Sequence, residues 1–150
     1  MYDKLLLPTD MSPGIDRAIE HAIDAAERYD AELHVMYVVD TDAYSSYPSD
    51  EYVHEFEGLE QALEQAGHDA VEEIIDQAAD AGIETHSIIQ HGIPHEEILR
   101  YMDTTEIGLT VLGSKSRSGE YRRLLGSVAE RVAQMSERPV TVIKTPVEAE

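Results

Sequence analysis

The stretch that decides how this chain is read is Val111-Leu112-Gly113-Ser114-Lys115-Ser116-Arg117-Ser118-Gly119-Glu120-Tyr121-Arg122-Arg123-Leu124-Leu125-Gly126-Ser127-Val128. It opens with a short apolar run that stops at Gly113, as a buried strand does. A polar, basic loop follows and closes on Gly126-Ser127, where Val128, Val132 and Met135 take up helical spacing. A strand, a Gly/Ser-rich loop and a helix N-terminus in that order suit phosphate, because unpaired backbone N–H groups and the positive end of the helix dipole converge on one place. An ordinary strand-to-helix connection has the same look, so the rest of the chain must arbitrate.

Working outward, the same alternation recurs. Lys4 to Pro8 is an apolar run without alternation, the mark of a central strand covered on both faces. It ends in Pro8-Thr9-Asp10. Ser12-Pro13 supplies a cap and a first helical proline, and Ile15, Ala18, Ile19, Ala22, Ile23 and Ala26 line one helical face. Leu33 to Val39 is a second strand, in which His34 and Tyr37 read as packed polar residues. Residues 40–50 form a loop. Tyr52 to about Ala81 reads as one long helix or two abutting ones, with Gly58 and Gly67 as weak points and Gly82 as the stop. Ile83–Ile89, Ile107–Leu112 and Val140–Lys144 complete five strands, with short helices from Pro94 and Ser127. Strands alternating with helices predict an α/β domain: a parallel sheet with helices on both faces and right-handed crossovers. Residues 1–146 read as a single domain and 147–150 as a short acidic tail.

In such a sheet the ligand lies beyond the carboxyl ends of the strands, where the strand order reverses. If the first and fourth strands are neighbours, Asp10 stands on one wall of that crevice and the glycine loop on the other. The loop also carries Lys115, Arg117, Arg122 and Arg123 with one acid, Glu120, in a chain of 31 acidic and 11 basic side chains and formal charge −20. That local reversal of sign fits a polyphosphate approaching an acidic surface, or a solvated basic turn.

The composition excludes several classes. An acidic surface argues against nucleic acid and anionic membranes as partners. The absence of cysteine excludes disulfides and thiolate metal sites. No apolar run approaches spanning length and none resembles a signal peptide, so a cytoplasmic location is expected, and the charge suggests a salt-rich cytoplasm such as a halophile's. No G-x-x-x-x-G-K-[ST] or G-x-G-x-x-G motif is present. Among seven histidines, the only H-x-x-x-H spacing, His91 and His95, straddles Pro94 at a turn, so no zinc site is expected. The loop serines have no evident histidine base, and no catalytic residue is assigned.

Taken together, Leu6-Leu7-Pro8-Thr9-Asp10-Met11-Ser12-Pro13, the run His34 to Asp40, His91-Gly92-Ile93-Pro94-His95-Glu96-Glu97-Ile98, and Leu112-Gly113-Ser114-Lys115-Ser116 through Gly126-Ser127-Val128-Ala129-Glu130-Arg131-Val132 to Arg138-Pro139-Val140 resemble the universal stress protein family. The resemblance implies a Rossmann-like open sandwich with strand order 3-2-1-4-5 and a homodimer, commonly through the last strand, here Val140–Lys144. It further implies binding of ATP or a related adenine nucleotide with Mg or Mn on the phosphates, acting as a stress-response module with at most slow hydrolysis. One branch of the family binds ATP through G-x-x-G-x9-G-[ST]; another lacks the motif and binds no nucleotide.

Transferred onto this chain, Asp10 lies by the base and ribose, Val38 contacts adenine through its backbone, and Pro8 and Thr9 are further nucleotide-binding positions. Leu112, Gly113, Ser114, Ser116, Gly126, Ser127 and Val128 form the phosphate loop and its flanks, with Arg117 assisting. The spacing is intact, but Ser116 stands where the ATP-binding pattern has glycine. If position 116 needs a left-handed backbone, serine costs roughly 1–2 kcal/mol there, about a tenfold loss of affinity or somewhat more. If its β-carbon occupies phosphate space, the loss is complete. Two alternatives stay open: a nucleotide-free dimerising scaffold, and an adenylyl- or phosphoryl-transfer enzyme using the 40–50 loop.

Overall fold

The computed structural model describes residues 2–9, 15–41, 53–114 and 127–144, with the backbone alone for 53–57 and 127. Among these residues five strands and four helices alternate: β1 (Lys4–Thr9), α1 (Ile15–Tyr29), β2 (Glu32–Asp40), α2 (Val53–Asp80), β3 (Thr85–Gly92), α3 (Pro94–Thr104), β4 (Leu109–Gly113), α4 (Ser127–Met135) and β5 (Val140–Ile143). The sheet is wholly parallel in the order β3-β2-β1-β4-β5. Class, order and layering are those expected.

Why the strands lack alternation is visible in β1. Leu5 and Leu7 lie in one apolar cluster and Leu6 in the other, all three fully buried. The first cluster joins the sheet to α1 through Ala18, Ile19, Ala22 and Ala26, and to α2 through Val71, Ile74 and Ala78. The second joins it to α3 through Ile98 and Met102, and to α4 through Ala129 and Val132. A central strand with helices on both faces has no wet side on which polar residues gain anything.

The bounds of β3, β4 and β5 differ from the sequence-based expectation. β3 spans Thr85–Gly92, not Ile83–Ile89. Ile83 belongs instead to the turn closing α2: its N–H donates to the Ala78 carbonyl at 3.1 Å, and Gly82 takes φ 78°. That left-handed conformation is the usual glycine device for ending a helix. At its other end β3 extends through Gln90, His91 and Gly92 because Val38, Val39 and Asp40 of β2 pair with them. β4 starts at Leu109, not Ile107, whose N–H closes α3 on the Met102 carbonyl at 2.9 Å. β5 ends at Ile143, one residue short of the expected Lys144.

α2 is one continuous helix. Gly67 is no weak point in it: a β-carbon there would lie 2.4 Å from the Tyr37 ring, so glycine is what lets α2 approach β2 so closely.

Candidate functional site

β1 is paired to β2 along its whole length, from Lys4 opposite Glu32 to Thr9 opposite Tyr37. On its other side it pairs with β4 only at Leu5–Leu109 and Leu6–Thr110. β4 nevertheless stays paired to β5 as far as Gly113–Ile143. Beyond Leu6 and Thr110, therefore, β1 and β4 each hold their outer neighbour and part from one another. Pro8 lies two residues past the last shared pair and has no N–H with which to continue that ladder. The crossovers leave β1 and β4 toward opposite faces, so this parting is the switch point at which open α/β sheets bind ligands.

Of the residues singled out from the sequence, Pro8 and Thr9 lie at the carboxyl end of β1, and Leu112, Gly113 and Ser114 at that of β4. Thr9 and Ser114 are both buried, at 7% exposure, and the Ser114 N–H donates to the Ile143 carbonyl at 3.1 Å. Gly113 is not required by packing: a β-carbon there would sit 3.7 Å from Ile15 and 3.8 Å from Ala18, ordinary contact distances. Val38 is half-buried and is the first β2 residue past the ladder with β1. Leu112 and Val128 pack in the second apolar cluster and thus support the site from within. Ser127 opens α4. Asp10, Ser116, Arg117 and Gly126 lie outside the described residues.

At the opposite, amino end of the sheet the structure assembles a cluster that the sequence does not announce. His34 and His86 are paired across β2 and β3, their rings stacked with centroids 4.6 Å apart and planes 26° from parallel. His34 Nε2 lies 2.9 Å from Glu32 Oε1, and His86 Nε2 lies 3.3 Å from the same oxygen and 3.0 Å from Glu84 Oε2. His34 Nδ1 lies 2.6 Å from the Tyr101 hydroxyl of α3. Burial pushes the His34 imidazole below its usual range, against the opposing hydrogen bond with Glu32. That same bond holds the Glu32 carboxyl below the usual carboxylate range, and burial raises Tyr101. A Glu-x-His at 32–34 and another at 84–86 are the available signal, since residues i and i+2 share a strand face. His91 lies elsewhere, 3.6 Å from both Glu60 and Glu64 of α2.

Comparison with known proteins fits this architecture. The family model described as "Universal stress protein family" matches residues 1–144. This chain belongs to the universal stress protein family. Universal stress protein MJ0531 of Methanocaldococcus jannaschii is 34% identical over 146 residues, covering 97% of this chain and 84% of that one. The solved structure of MJ0577 from the same organism superposes with a TM-score of 0.86 at 28% identity, covering 99% of each chain. Two more distant universal stress proteins share the fold. One solved in complex with cAMP has a TM-score of 0.66 at 24% identity, covering 97% of this chain and 99% of that one. An Arabidopsis thaliana member solved with AMP bound has a TM-score of 0.69 at 20% identity, covering 97% and 93%. No helix among the described residues is long and apolar enough to cross a membrane.

Proposed function

We propose that this universal stress protein binds an adenine nucleotide, ATP in the first instance, in the crevice where β1 and β4 part. The observation that carries the reading is that divergence: the β1–β4 ladder stops at Leu6 and Thr110 while both outer ladders continue. Family members that hold cAMP and AMP support the choice of ligand. Val38, just beyond the end of the β1–β2 ladder, meets adenine through its backbone, and Pro8, Thr9 and Asp10 line the nucleoside side. Gly113, Ser114, Ser116, Gly126 and Ser127 cradle the phosphates, with Leu112 and Val128 behind them and Arg117 adding charge. That packing makes no demand for glycine at 113 leaves its bare backbone available for a phosphate's close approach. A Mg or Mn ion on the phosphates supplies the remaining charge compensation.

The site is assigned binding, not turnover; its output is a conformation or a docking surface in a stress response. On the same reading the protein works in a salt-rich cytoplasm as a homodimer joined through the edge strand β5. Residues 1–146 act as one domain, and nucleic acid is not a partner. Thermal melting with and without millimolar ATP–Mg tests the site. A ligand at a hundred times its Kd raises stability by about 2.7 kcal/mol, and Gly126→Val is expected to remove the whole of that gain while leaving the unliganded melt intact. Superimposable wild-type melts with and without ATP, AMP and cAMP would overturn the assignment in favour of a nucleotide-free module.

A further inference from the structure

We propose that Glu32, His34 and His86 form a binding site for a first-row divalent cation, zinc by preference, with Glu84 within reach as a fourth donor. One donor atom from each of the three residues falls within a span of 4.8 Å. Zinc–nitrogen and zinc–oxygen bonds near 2.0–2.1 Å put neighbouring donors in a tetrahedral shell about 3.3 Å apart. The two imidazole nitrogens stand 2.9 and 3.3 Å from Glu32 Oε1, so little movement separates the cluster from a coordination shell. Glu84 Oε2 lies 3.0 Å from His86 Nε2 but outside the span shared by the other three donors, so this exposed carboxylate, or a water, takes the fourth position by moving onto the ion. Two imidazoles with carboxylates select zinc, copper or nickel over magnesium and calcium, which prefer oxygen alone.

The outer contacts are also those of a metal site. A ligating histidine is usually oriented through its second nitrogen, and here the Tyr101 hydroxyl lies 2.6 Å from His34 Nδ1. Without metal, Nε2–H donates to Glu32 and the tyrosine O–H donates to Nδ1. With metal on Nε2, the one ring proton resides on Nδ1 and the hydroxyl turns to accept it, so the ring keeps its partner in both states. Because β3 is an edge strand, an ion held between His34 and His86 ties that edge to β2, at the end of the sheet away from the nucleotide crevice.

The test uses the full chain stripped with EDTA and titrated with zinc chloride in excess magnesium, so that the hard cation occupies adventitious carboxylates. One zinc per chain is expected, with a raised melting temperature, and cobalt in its place should give the visible absorption of a four-coordinate site. His86 is half-exposed, so His86→Ala should fold, as checked by circular dichroism, and lose the stoichiometric zinc; His86→Gln serves if it does not fold. Tyr101→Phe should weaken binding about ten- to a hundredfold. His91→Ala, near the Glu60–Glu64 pair, should bind as the parent does. Absence of zinc binding in the parent, unchanged binding in the His86 variant, or loss of binding in the His91 variant would each overturn the proposal.

Discussion

At the carboxyl end of the sheet β1 and β4 separate, and what gathers there is strand ends, a glycine and the start of a helix. At the amino end β2 and β3 keep strict register, and what gathers there is side chains: Glu32 and His34 on one strand, His86 on the next and Glu84 just ahead of it. The first arrangement presents main chain and helix dipole, which favour spread negative charge such as a phosphate group. The second presents imidazole and carboxylate at fixed i, i+2 spacing, which favours a compact cation. One parallel sheet thus offers opposite ligand chemistries at its two ends. The sites share no side chain, so perturbing one should leave the other's binding nearly unchanged.

The largest effect expected from a packing change lies beneath the carboxyl end. Tyr37 stands opposite Thr9 on β2, and α2 lies against its ring only because residue 67 has no β-carbon. Gly67→Ala gains about 1 kcal/mol of helix propensity but overpacks a buried contact, which typically costs about 1–3 kcal/mol. With a 2.4 Å approach to an aromatic ring the loss wins. Net destabilisation of up to about 2 kcal/mol in urea melts is expected. Gly58, on the same helix, is the control: a β-carbon there would meet nothing within 4 Å among the described residues. Gly58→Ala should therefore stabilise by up to about 1 kcal/mol. Equal responses at 58 and 67 would mean that α2 is not held against Tyr37, and the support beneath that end would have to be reconsidered.

The two ends also differ in how far the sequence reveals them. β1 is legible because Leu5, Leu6 and Leu7 are buried on both faces, and the crevice because Gly113 and Gly126-Ser127 lie within one loop of the chain. A site made of backbone leaves its mark as glycines at short spacing. The amino-end cluster joins residues 32 and 86, whose meeting depends on the register of two strands separated by a 28-residue helix. Isoleucines alone put the third strand at Ile83–Ile89, but as an edge strand it takes its limits from β2, through which Gln90 and His91 enter the ladder. Gly67 misleads for the same reason. Helix propensity is local, whereas the Tyr37 ring that decides the glycine's role lies thirty positions away in sequence.

A smaller effect sharpens the carboxyl end. Ser116 is the one departure from the phosphate-loop pattern, and Ser116→Gly removes whatever backbone strain serine carries. If that position is left-handed in the bound loop, ATP affinity by calorimetry should rise about tenfold, with zinc binding unaffected. An unchanged or weaker affinity would mean that the serine hydroxyl itself serves the phosphates, making the loop a variant design and not a weakened copy.

The smallest effect lies where the two ends meet. Thr110 is the last β4 residue paired with β1, fully buried, and its hydroxyl has no hydrogen-bond partner among the described residues. Valine has nearly the same shape and no polar atom to desolvate. Leaving a buried hydroxyl unpaired typically costs about 1–3 kcal/mol, whereas an apolar group of the same shape is neutral to stabilising. Thr110→Val should therefore raise stability, by about 1 kcal/mol at most once the hydroxyl's residual interactions are discounted. A destabilised variant would reveal a partner for that hydroxyl across the point where β1 and β4 separate. In that case the parting of the strands would be held open by a polar contact, and the division between a paired amino end and a divergent carboxyl end would rest on Thr110 as much as on Pro8.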